Sequence, residues 1–399
     1  MRRFRTSERY QTQMSELQLL FLALALLYGW ECACWLRRGS VAFSTWLGRN
    51  WQARHPGTLL GNQHGGFIFA APLPPMGTLL TAGQFPVSLS PEGLLAAVAT
   101  NVNPGWRPAQ SGKYFRIDEI RDVSAQGKKL LVNGVVLLTA ASNSLARHFS
   151  SELRRLVKLI PSQREAAIAE LVHATLDTKI AEQRWQELQQ LSRPVRLLGN
   201  ALFVYLFVFA PGLIWQLGFK LSWLGLLVGL FALTTATAVF FYRAHRTLYP
   251  QAEDERFTHT LTIVLAPMTT MRAHDALSRP LFETFHPLAL ARVFLSRNDF
   301  RDFARRVLLD LRHPAEPVWS SAEPAAHATE LHARTMLQTA VEELLKQHGV
   351  EPEDLCKPPA PLDESCRAYC PRCGAQFTTL SGNCGDCGGL ALVAFASTE

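Results

Sequence analysis

Four cysteines near the end of the chain are the residues whose type and spacing most clearly indicate chemistry. They form two Cys-x-x-Cys pairs, Cys370 with Cys373 and Cys384 with Cys387, separated by ten residues. A glycine follows each pair and permits a tight turn behind the second sulfur. Four thiolates suit the tetrahedral coordination of Zn²⁺, and a segment this short has too little apolar surface to fold without a metal. We therefore predict that these four cysteines bind one structural zinc ion.

The two pairs resemble the zinc-ribbon family over residues 366–390, a small part of a chain of 399 residues. The resemblance implies a small metal-stapled β-hairpin unit with the same four cysteines as ligands. Iron is the rival metal, because Cys-Pro-x-Cys-Gly also occurs in rubredoxin-like proteins, but the ten-residue spacer and the few aromatic residues favour zinc. The alternative to metal binding is that these cysteines form disulfide bonds, which need an oxidising compartment. We interpret Cys356 and Cys366 as non-ligands, although Cys366 could substitute for Cys370.

Two apolar segments in the middle of the chain predict a transmembrane helical hairpin. Residues 197–217 and 221–242 contain no charged side chain. Each is long enough to cross a hydrocarbon core of about 30 Å at 1.5 Å per residue. The turn between them, residues 218–220, is too short to hold a domain. In the second segment Gly225-x-x-x-Gly229 offers a small-residue face, through which a homodimer could pack.

A third apolar stretch, residues 17–36, has an uninterrupted apolar run of only 12 residues. Such a run also suits a signal peptide, but no small-residue cleavage site follows it, so we favour a retained first transmembrane helix. Several arginines precede the stretch and would have to be translocated in the orientation derived below. This conflict motivates the hypothesis that translation starts at Met14 rather than Met1, which N-terminal sequencing of the native protein would test.

Arginines beside the hairpin indicate its orientation. Arg193 and Arg196 precede it and Arg243 and Arg246 follow it, whereas its turn carries only Lys220. Because basic residues are retained on the cytoplasmic side, both ends of the hairpin should face the cytoplasm. We therefore expect an integral protein of the plasma (inner) membrane with cytoplasmic soluble regions, and cytoplasmic thiols that are free to bind metal.

Local patterns outline the soluble parts. Asn133-Gly134 between two apolar runs predicts a β-hairpin, because both residues tolerate positive φ. Ser142 or Ser144 can cap a helix that should end at Pro161. Ser162–Glu165 is typical of a capping box that opens one long amphipathic stalk helix.

Beyond the hairpin, residues 257–265 alternate threonine with larger side chains and predict a strand. Helices are expected at 299–311 and at 325–348, the latter ending at Gly349. The expected fold is a multi-domain integral membrane protein with about three α-helical spans, an α+β cytoplasmic domain, a helical region and a C-terminal zinc ribbon. The domains are residues 1–36 (leader and first helix), 37–192 (α+β domain with stalk helix), 193–246 (hairpin), 247–349 (helical region), 350–365 (proline-rich linker) and 366–399 (zinc ribbon).

Catalytic patterns are few. His274 and Asp275 could form an acid–base pair, and Glu283-x-x-His286 has the spacing of a helical carboxylate–histidine pair. The sequence contains no nucleophile elbow, P-loop or dinucleotide-binding fingerprint. Whether the chain is an enzyme is left open, and a non-enzymatic role is favoured.

Charge is divided unevenly along the chain. Residues 315–399 carry five basic and 12 acidic side chains, which give a net charge of −7. Because the whole chain has a net charge of +7, residues 1–314 have a net charge of +14. An acidic tail argues against nucleic-acid binding through the ribbon, since polyphosphates require a basic surface. The expected function is a membrane-anchored adaptor or assembly factor whose tail contacts a protein partner. The alternative is a membrane enzyme or transport component with a site near His274, Asp275, Glu283 and His286.

Overall fold

The computed structural model is mostly helical, with small antiparallel sheets near both ends of the chain. It describes residues 18–28, 41–44, 65–70, 79–84, 87–97, 112–140, 143–282, 285–313, 324–387 and 389–395. Structural statements below concern these residues.

Nine strands precede the helical part and form three antiparallel three-stranded sheets, with strand orders β1-β3-β2, β4-β5-β6 and β7-β8-β9. A core shared by the second and third sheets contains Leu94, Leu130 and Val132, and Leu153 of the helix Asn143–Lys158 packs on it. The strands are β1 (Val41–Ser44), β2 (Gly65–Ala70), β3 (Leu79–Gln84), β4 (Val87–Leu89), β5 (Gly93–Ala97), β6 (Gly112–Arg116), β7 (Val123–Gln126), β8 (Lys129–Val132) and β9 (Val135–Thr139).

The predicted Asn133-Gly134 turn is confirmed. Both residues have positive φ, 49° and 76°, and Val132 pairs with Val135 across the turn. The Asn133 side chain has a second task that the turn signal did not indicate. Its Oδ1 accepts hydrogen bonds from the backbone N–H groups of Arg121 (2.8 Å) and Asp122 (3.1 Å), and its Nδ2 donates to the carbonyl of Glu119 (3.0 Å). The turn thereby holds the segment that leads into β7.

Thirteen helices occur in the described residues. They are α1 (Gln18–Tyr28), α2 (Asn143–Lys158), α3 (Pro161–Thr175), α4 (Thr178–Val204), α5 (Ala210–Leu217), α6 (Phe219–Leu248), α7 (Glu253–Leu265), α8 (Pro267–Met271), α9 (Ala273–Phe282), α10 (Pro287–Phe294), α11 (Arg297–Arg312), α12 (Pro324–Gln347) and α13 (Pro352–Leu355). Helices α2, α11 and α12 agree with the predicted ones, and Gly349 ends the last with φ 67°.

The predicted capping box and the single long stalk helix are wrong. Helix α3 begins at Pro161, after an extended Ile160 and without a side-chain cap, because proline is pre-organised for the first helical position. The chain then breaks before α4, where Asp177 Oδ1 accepts from the N–H groups of Lys179 and Ile180, both at 2.9 Å. A short carboxylate at this position competes with helix continuation and starts a new helix.

The predicted strand at residues 257–265 is also wrong, since these residues lie in helix α7. The hydroxyl of each threonine in α7 donates a hydrogen bond to the carbonyl four residues earlier: Thr258 to Asp254, Thr260 to Arg256 and Thr262 to Thr258. The alternating threonines therefore do not prevent a helix. The acidic first turn, Glu253 to Glu255, is stabilised by the helix dipole.

Two helical runs are long and apolar enough to cross a membrane. The first extends over Thr178–Leu217, where α4 continues through a π-helical turn at Tyr205–Phe209 into α5. The second is Trp223–Leu248, and the apolar 18-residue windows of the two runs have mean hydropathies of 2.0 and 2.1. Gly218, with φ 75°, connects them within the predicted turn, and they pack against each other.

The third predicted span is described only in part. Helix α1 by itself would extend about 17 Å, less than a membrane core, and residues 29–36 lie outside the described part of the chain. Tyr28 of α1 is fully buried and packs on the rings of Phe203 and Phe207, with centroids 5.6 and 5.9 Å apart. The residues that bear on a start at Met1 or Met14 also lie outside the described ranges.

Gly225 and Gly229 have different surroundings. No atom lies within 4 Å of the position that a Cβ at Gly225 would take, whereas a Cβ at Gly229 would collide with the Tyr205 ring of the same chain. Tyr205 uses this space to donate its hydroxyl to the carbonyl of Leu226 at 2.8 Å. Gly229 therefore serves packing within the hairpin, and Gly225 faces outward.

The helical core surrounds α4. Leu188 and Val195 of α4 share it with Phe241 of α6, Leu277 of α9 and Leu308 of α11. Helix α12 joins this core and also reaches the second sheet, where the hydroxyls of Thr329 and Ser90 lie 3.1 Å apart. The sheets and the helical core are thus in contact through α12.

We expect Asn133→Ala to destabilise the β-rich unit by about 2–3 kcal/mol, because three hydrogen bonds are lost and alanine disfavours positive φ. Asn133→Gly should lie between this variant and the original chain, since it loses the bonds but tolerates the backbone conformation. Pulse proteolysis at increasing denaturant measures the change. Equal protease resistance in all three proteins would contradict the role assigned to the side chain.

Candidate metal centre

Five very short strands position the four cysteines. Strands β10 (Ala368–Tyr369), β11 (Gln376–Phe377) and β14 (Val393–Ala394) form one sheet in the order β11-β10-β14, and β12 (Asn383–Cys384) pairs with β13 (Leu390–Ala391). Three of the four cysteines are buried and pack with Phe377, Leu390 and Leu392. The apolar core of this unit is therefore built from the sulfur atoms themselves, as expected for a unit that needs a metal to fold.

The sulfur geometry fits a tetrahedral ion. The four Sγ atoms all lie within 4.8 Å of one another, and those of Cys373 and Cys384 are 3.8 Å apart. Four sulfurs placed 2.3 Å from a central zinc are about 3.8 Å from each other. The group contains neither Cys356 nor Cys366. All four predicted ligands are thus brought together, and the sulfur set can hold a metal ion.

Backbone turns bring each pair of sulfurs to one point. In the first pair, the N–H of Gly374 donates to the carbonyl of Cys370 (2.9 Å), and Gly374 has φ 73°, as its place behind the second sulfur predicts. In the second pair, the N–H of Gly389 donates to the carbonyl of Cys384 (2.9 Å), and Gly389 has φ 89°. Gly388, predicted to play this role, lies outside the described residues.

The thiols oppose one another's ionisation, which favours occupation by a cation. Hydrogen bonds, first from the Cys387 thiol and then from the backbone of Ala375, lower the pKa of Cys373 to about 5. Burial and the neighbouring sulfurs raise the pKa of Cys384 to about 11, and the pKa of Cys387 is raised as well. One thiolate forms readily, and the further negative charges require a positive ion among them.

Arg372, between the two cysteines of the first pair, attaches this unit to the helical body. Its side chain is 6% exposed, and Nη2 lies 3.1 Å from Oδ1 of Asp310 in α11. Nε donates to the carbonyl of His313 (2.9 Å), and Nη1 donates to the carbonyl of Cys387 (3.5 Å). A single guanidinium group thus joins both cysteine pairs to the end of α11.

Asp310, whose side chain is 15% exposed, is the carboxylate in this contact. Burial raises the pKa of Asp310 to about 7, and the guanidinium groups of Arg372 and Arg334 limit the rise. A carboxylate this buried is costly without a cation beside it, so Asp310 and Arg372 depend on each other. Sequence reasoning missed both residues, because nothing in the Cys-Pro-Arg-Cys motif indicates that its arginine is buried or names a partner 62 positions earlier.

The proline-rich segment before the unit is also in contact with its neighbours. Pro352 and Leu355 of α13 are buried against α11 and α12. Further on, the side chain of Gln376 in β11 donates to the carbonyl of Ala360 (2.7 Å) and accepts from the N–H of Leu362 (2.8 Å). This segment therefore lies along a defined path between the helices and the metal-binding unit.

Of the four residues of the second predicted site, the structure describes the side chains of His274 and His286. His274 is buried in α9, and burial, together with the charge of Arg196, lowers its pKa to about 3. His286 caps α10 by accepting from the N–H of Leu288 on Nδ1 (3.1 Å), and burial lowers its pKa to about 4. Both histidines are therefore neutral near pH 7. The side chain of Asp275 and the whole of Glu283 lie outside what the structure describes.

A cavity of about 480 Å³ opens elsewhere, along the apolar helices. Neither His274 nor His286 lines it. Its walls are Asn200, Ala201, Val204, Tyr205, Phe209 and Leu233.

Comparison of the chain with known protein families, with curated proteins and with solved structures finds no match.

We expect the purified chain to contain about one zinc ion, and Cys373→Ser to lose it together with the fold of residues 366–395, because three thiolates hold the ion poorly. Mass spectrometry of the metal content is the measurement, and it also distinguishes zinc from iron. Cys366→Ser is the matched control and should retain the metal. Unchanged metal content in Cys373→Ser would remove this cysteine from the ligand set.

We expect Arg372→Ala to retain the metal but to destabilise the contact with α11 by about 3 kcal/mol, because Asp310 loses its nearest cation and keeps only the more distant charge of Arg334. Proteolysis between residues 356 and 366, measured against metal content, reports this detachment. Arg367→Ala, which removes an exposed arginine of the same unit, is the control. Adding Asp310→Asn to Arg372→Ala should recover part of the loss, and equal cleavage of all variants would refute the attachment.

Proposed function

We propose that this chain is a membrane-anchored protein whose zinc ribbon, held against the helical body, presents a surface to a protein partner. Such a protein acts as an adaptor or assembly factor rather than an enzyme. The observation that carries the proposal is the Arg372 contact, which joins a four-cysteine unit to a body containing two helices of membrane-spanning length. A folded unit fixed to an anchor in this way can hold a partner at a set position near the bilayer.

The membrane anchor is supported by the surfaces of the two long helices. Large apolar side chains point outward along both of them, among them Val208, Leu224 and Val228, each more than 60% exposed. A soluble protein rarely leaves so many apolar side chains in water, whereas lipid covers them at no cost. The arginines at both ends of the hairpin favour cytoplasmic soluble regions and an inner-membrane location.

The partner surface is proposed on the ribbon, which exposes large apolar side chains although the unit is small. Leu380 is 59% and Val393 42% exposed, and Leu362, beside the unit, is 82% exposed. The acidic character of residues 315–399 favours a protein over a nucleic acid. Gly225, which faces open space, is the remaining position at which hairpins of two copies could approach closely. No described contact favours the enzyme or transport alternative.

The first test is whether the full chain stays in the membrane fraction when the membranes are washed with alkaline carbonate. In the second test, cells that carry the full chain with Leu380→p-benzoylphenylalanine are irradiated to cross-link whatever contacts this position. We expect a protein adduct that is lost when Cys373→Ser is added, since the ribbon must be folded to present Leu380. The control position is Leu331, an exposed leucine of α12. Extraction by carbonate would refute the anchor, and an adduct that persists without the metal site would refute the ribbon surface.

A further inference from the structure

Helix α7 exposes an apolar stripe that nothing in the described structure covers. Phe257, Leu261 and Leu265 are 69%, 48% and 72% exposed, and their spacing of four residues places them on one face. Between the charged residues that begin α7 and Arg272, the sequence from 257 to 271 contains no Asp, Glu, Lys or Arg. A stripe of this kind marks a surface that is covered in the working protein.

Contacts between α7 and α6 show where this stripe lies along the length of α6. Arg256 Nη2 donates to the carbonyls of Tyr249 (3.2 Å) and Pro250 (3.1 Å), and the ring of His259, one turn later, lies 6.2 Å from that of Phe241. Later residues of α7 thus meet earlier residues of α6, so the helices are antiparallel. The uncharged run of α6 ends at residue 242. Leu265 then lies about 9 Å deeper than His259, along that uncharged run.

Helix α8 packs on the other long helix, α4, at the first turns of its uncharged segment. The Met271 carbonyl oxygen lies 3.0 Å from where a Cβ on Gly199 would be, and Met271 packs with Leu202. Both Gly199 and Leu202 belong to the uncharged segment 197–217. The next helix returns to the charged end of α6, because the hydroxyl of Tyr249 donates to the carbonyl of Leu277 in α9 (2.6 Å).

Four threonine hydroxyls of α7 and α8 are hydrogen-bonded within these two helices and the turn between them. The three threonine hydroxyls of α7 bond to carbonyls of their own helix, although Thr258 and Thr262 are exposed. At the turn into α8, the Thr270 hydroxyl donates to the carbonyls of Ile263 and Ala266. In hydrocarbon each polar group needs a partner within the protein, and these hydroxyls have one. Exposed threonines of α12 make the same bond, so the bonds are compatible with a lipid contact but do not by themselves indicate it.

From these contacts we propose that α7 and α8 form a re-entrant element, which enters the bilayer beside α6, reaches part of its depth and returns through α9. The stripe of Phe257, Leu261 and Leu265 lies against lipid acyl chains of the leaflet at the charged end of the hairpin. The occupant is lipid because α7 packs along α6, whose Val239 and Phe240 at this level are themselves exposed apolar side chains. The inference rests on the membrane location in the proposed function.

The test uses the full chain reconstituted in phosphatidylcholine vesicles, with p-benzoylphenylalanine replacing one leucine at a time. Leu261 and Leu265 probe the stripe, Leu224 probes the long helix itself, and Leu331 of α12 is an exposed leucine away from the hairpin. After irradiation, mass spectrometry detects addition of phosphatidylcholine. We expect lipid adducts at Leu224, Leu261 and Leu265, with at least tenfold less at Leu331.

The possible failures are distinguishable. Lipid adducts at Leu224 but not at Leu261 or Leu265 would overturn the re-entrant element and leave the membrane anchor standing. Absence of lipid at Leu224 as well would overturn the anchor itself. A cross-link from Leu261 to a second copy of the chain, seen as a dimer on denaturing gels, would assign the stripe to a protein interface and refute the lipid contact.

Discussion

The continuity of α4 is the constraint on which the rest of the structure depends. One helical run of 40 residues begins at Thr178 in the helical body and ends at Leu217 at the tip of the hairpin. Its first half contributes Leu188 and Val195 to the main core, and its second half contributes Leu202 to the cluster with Tyr28 and Met271. Since a helix transmits position along its axis, the body and the apolar helices are held in one fixed relation.

That relation explains how the neighbouring helices are placed. Helices α6, α8 and α9 each pack on α4, and α7 packs on α6 and α8. The Asp177 cap matters for the same reason, because it fixes where the run begins and therefore which side chains enter the main core. The π-helical turn at Tyr205–Phe209 adds a local shift without ending the run, as π-turns within α-helices commonly do.

Much of the local structure could be predicted from the sequence. The four cysteines, the Asn133-Gly134 turn, the two apolar helices and helices α11 and α12 follow from neighbours in the chain. Threonine in α7 was misleading because alternation and helical spacing coexist in residues 257–265, and only the hydroxyl bonds within the helix decide between them. The Arg372–Asp310 contact could not be predicted, since it depends on how two distant segments pack.

Net charge alone does not specify how the four-cysteine unit is oriented on the helical body. The acidic residues 315–399 face a basic remainder of the chain, and Arg312 accordingly pairs with Glu342 (2.9 Å) and Glu353 (2.6 Å). Glu353 is 80% exposed, so its pair contributes little and is screened by salt.

Arg372 and Asp310 reverse this arrangement, because the cation belongs to the acidic segment and the anion to the basic one. This pair is largely buried, so displacing the four-cysteine unit by a few ångströms would remove the nearest cation from Asp310 and the carboxylate from Arg372, at a cost of about 3 kcal/mol. General attraction between the two parts is compatible with many orientations of the ribbon. The reversed, buried pair is compatible with one, and it is in place only when the first cysteine pair has the turn that holds Arg372 between its two sulfurs.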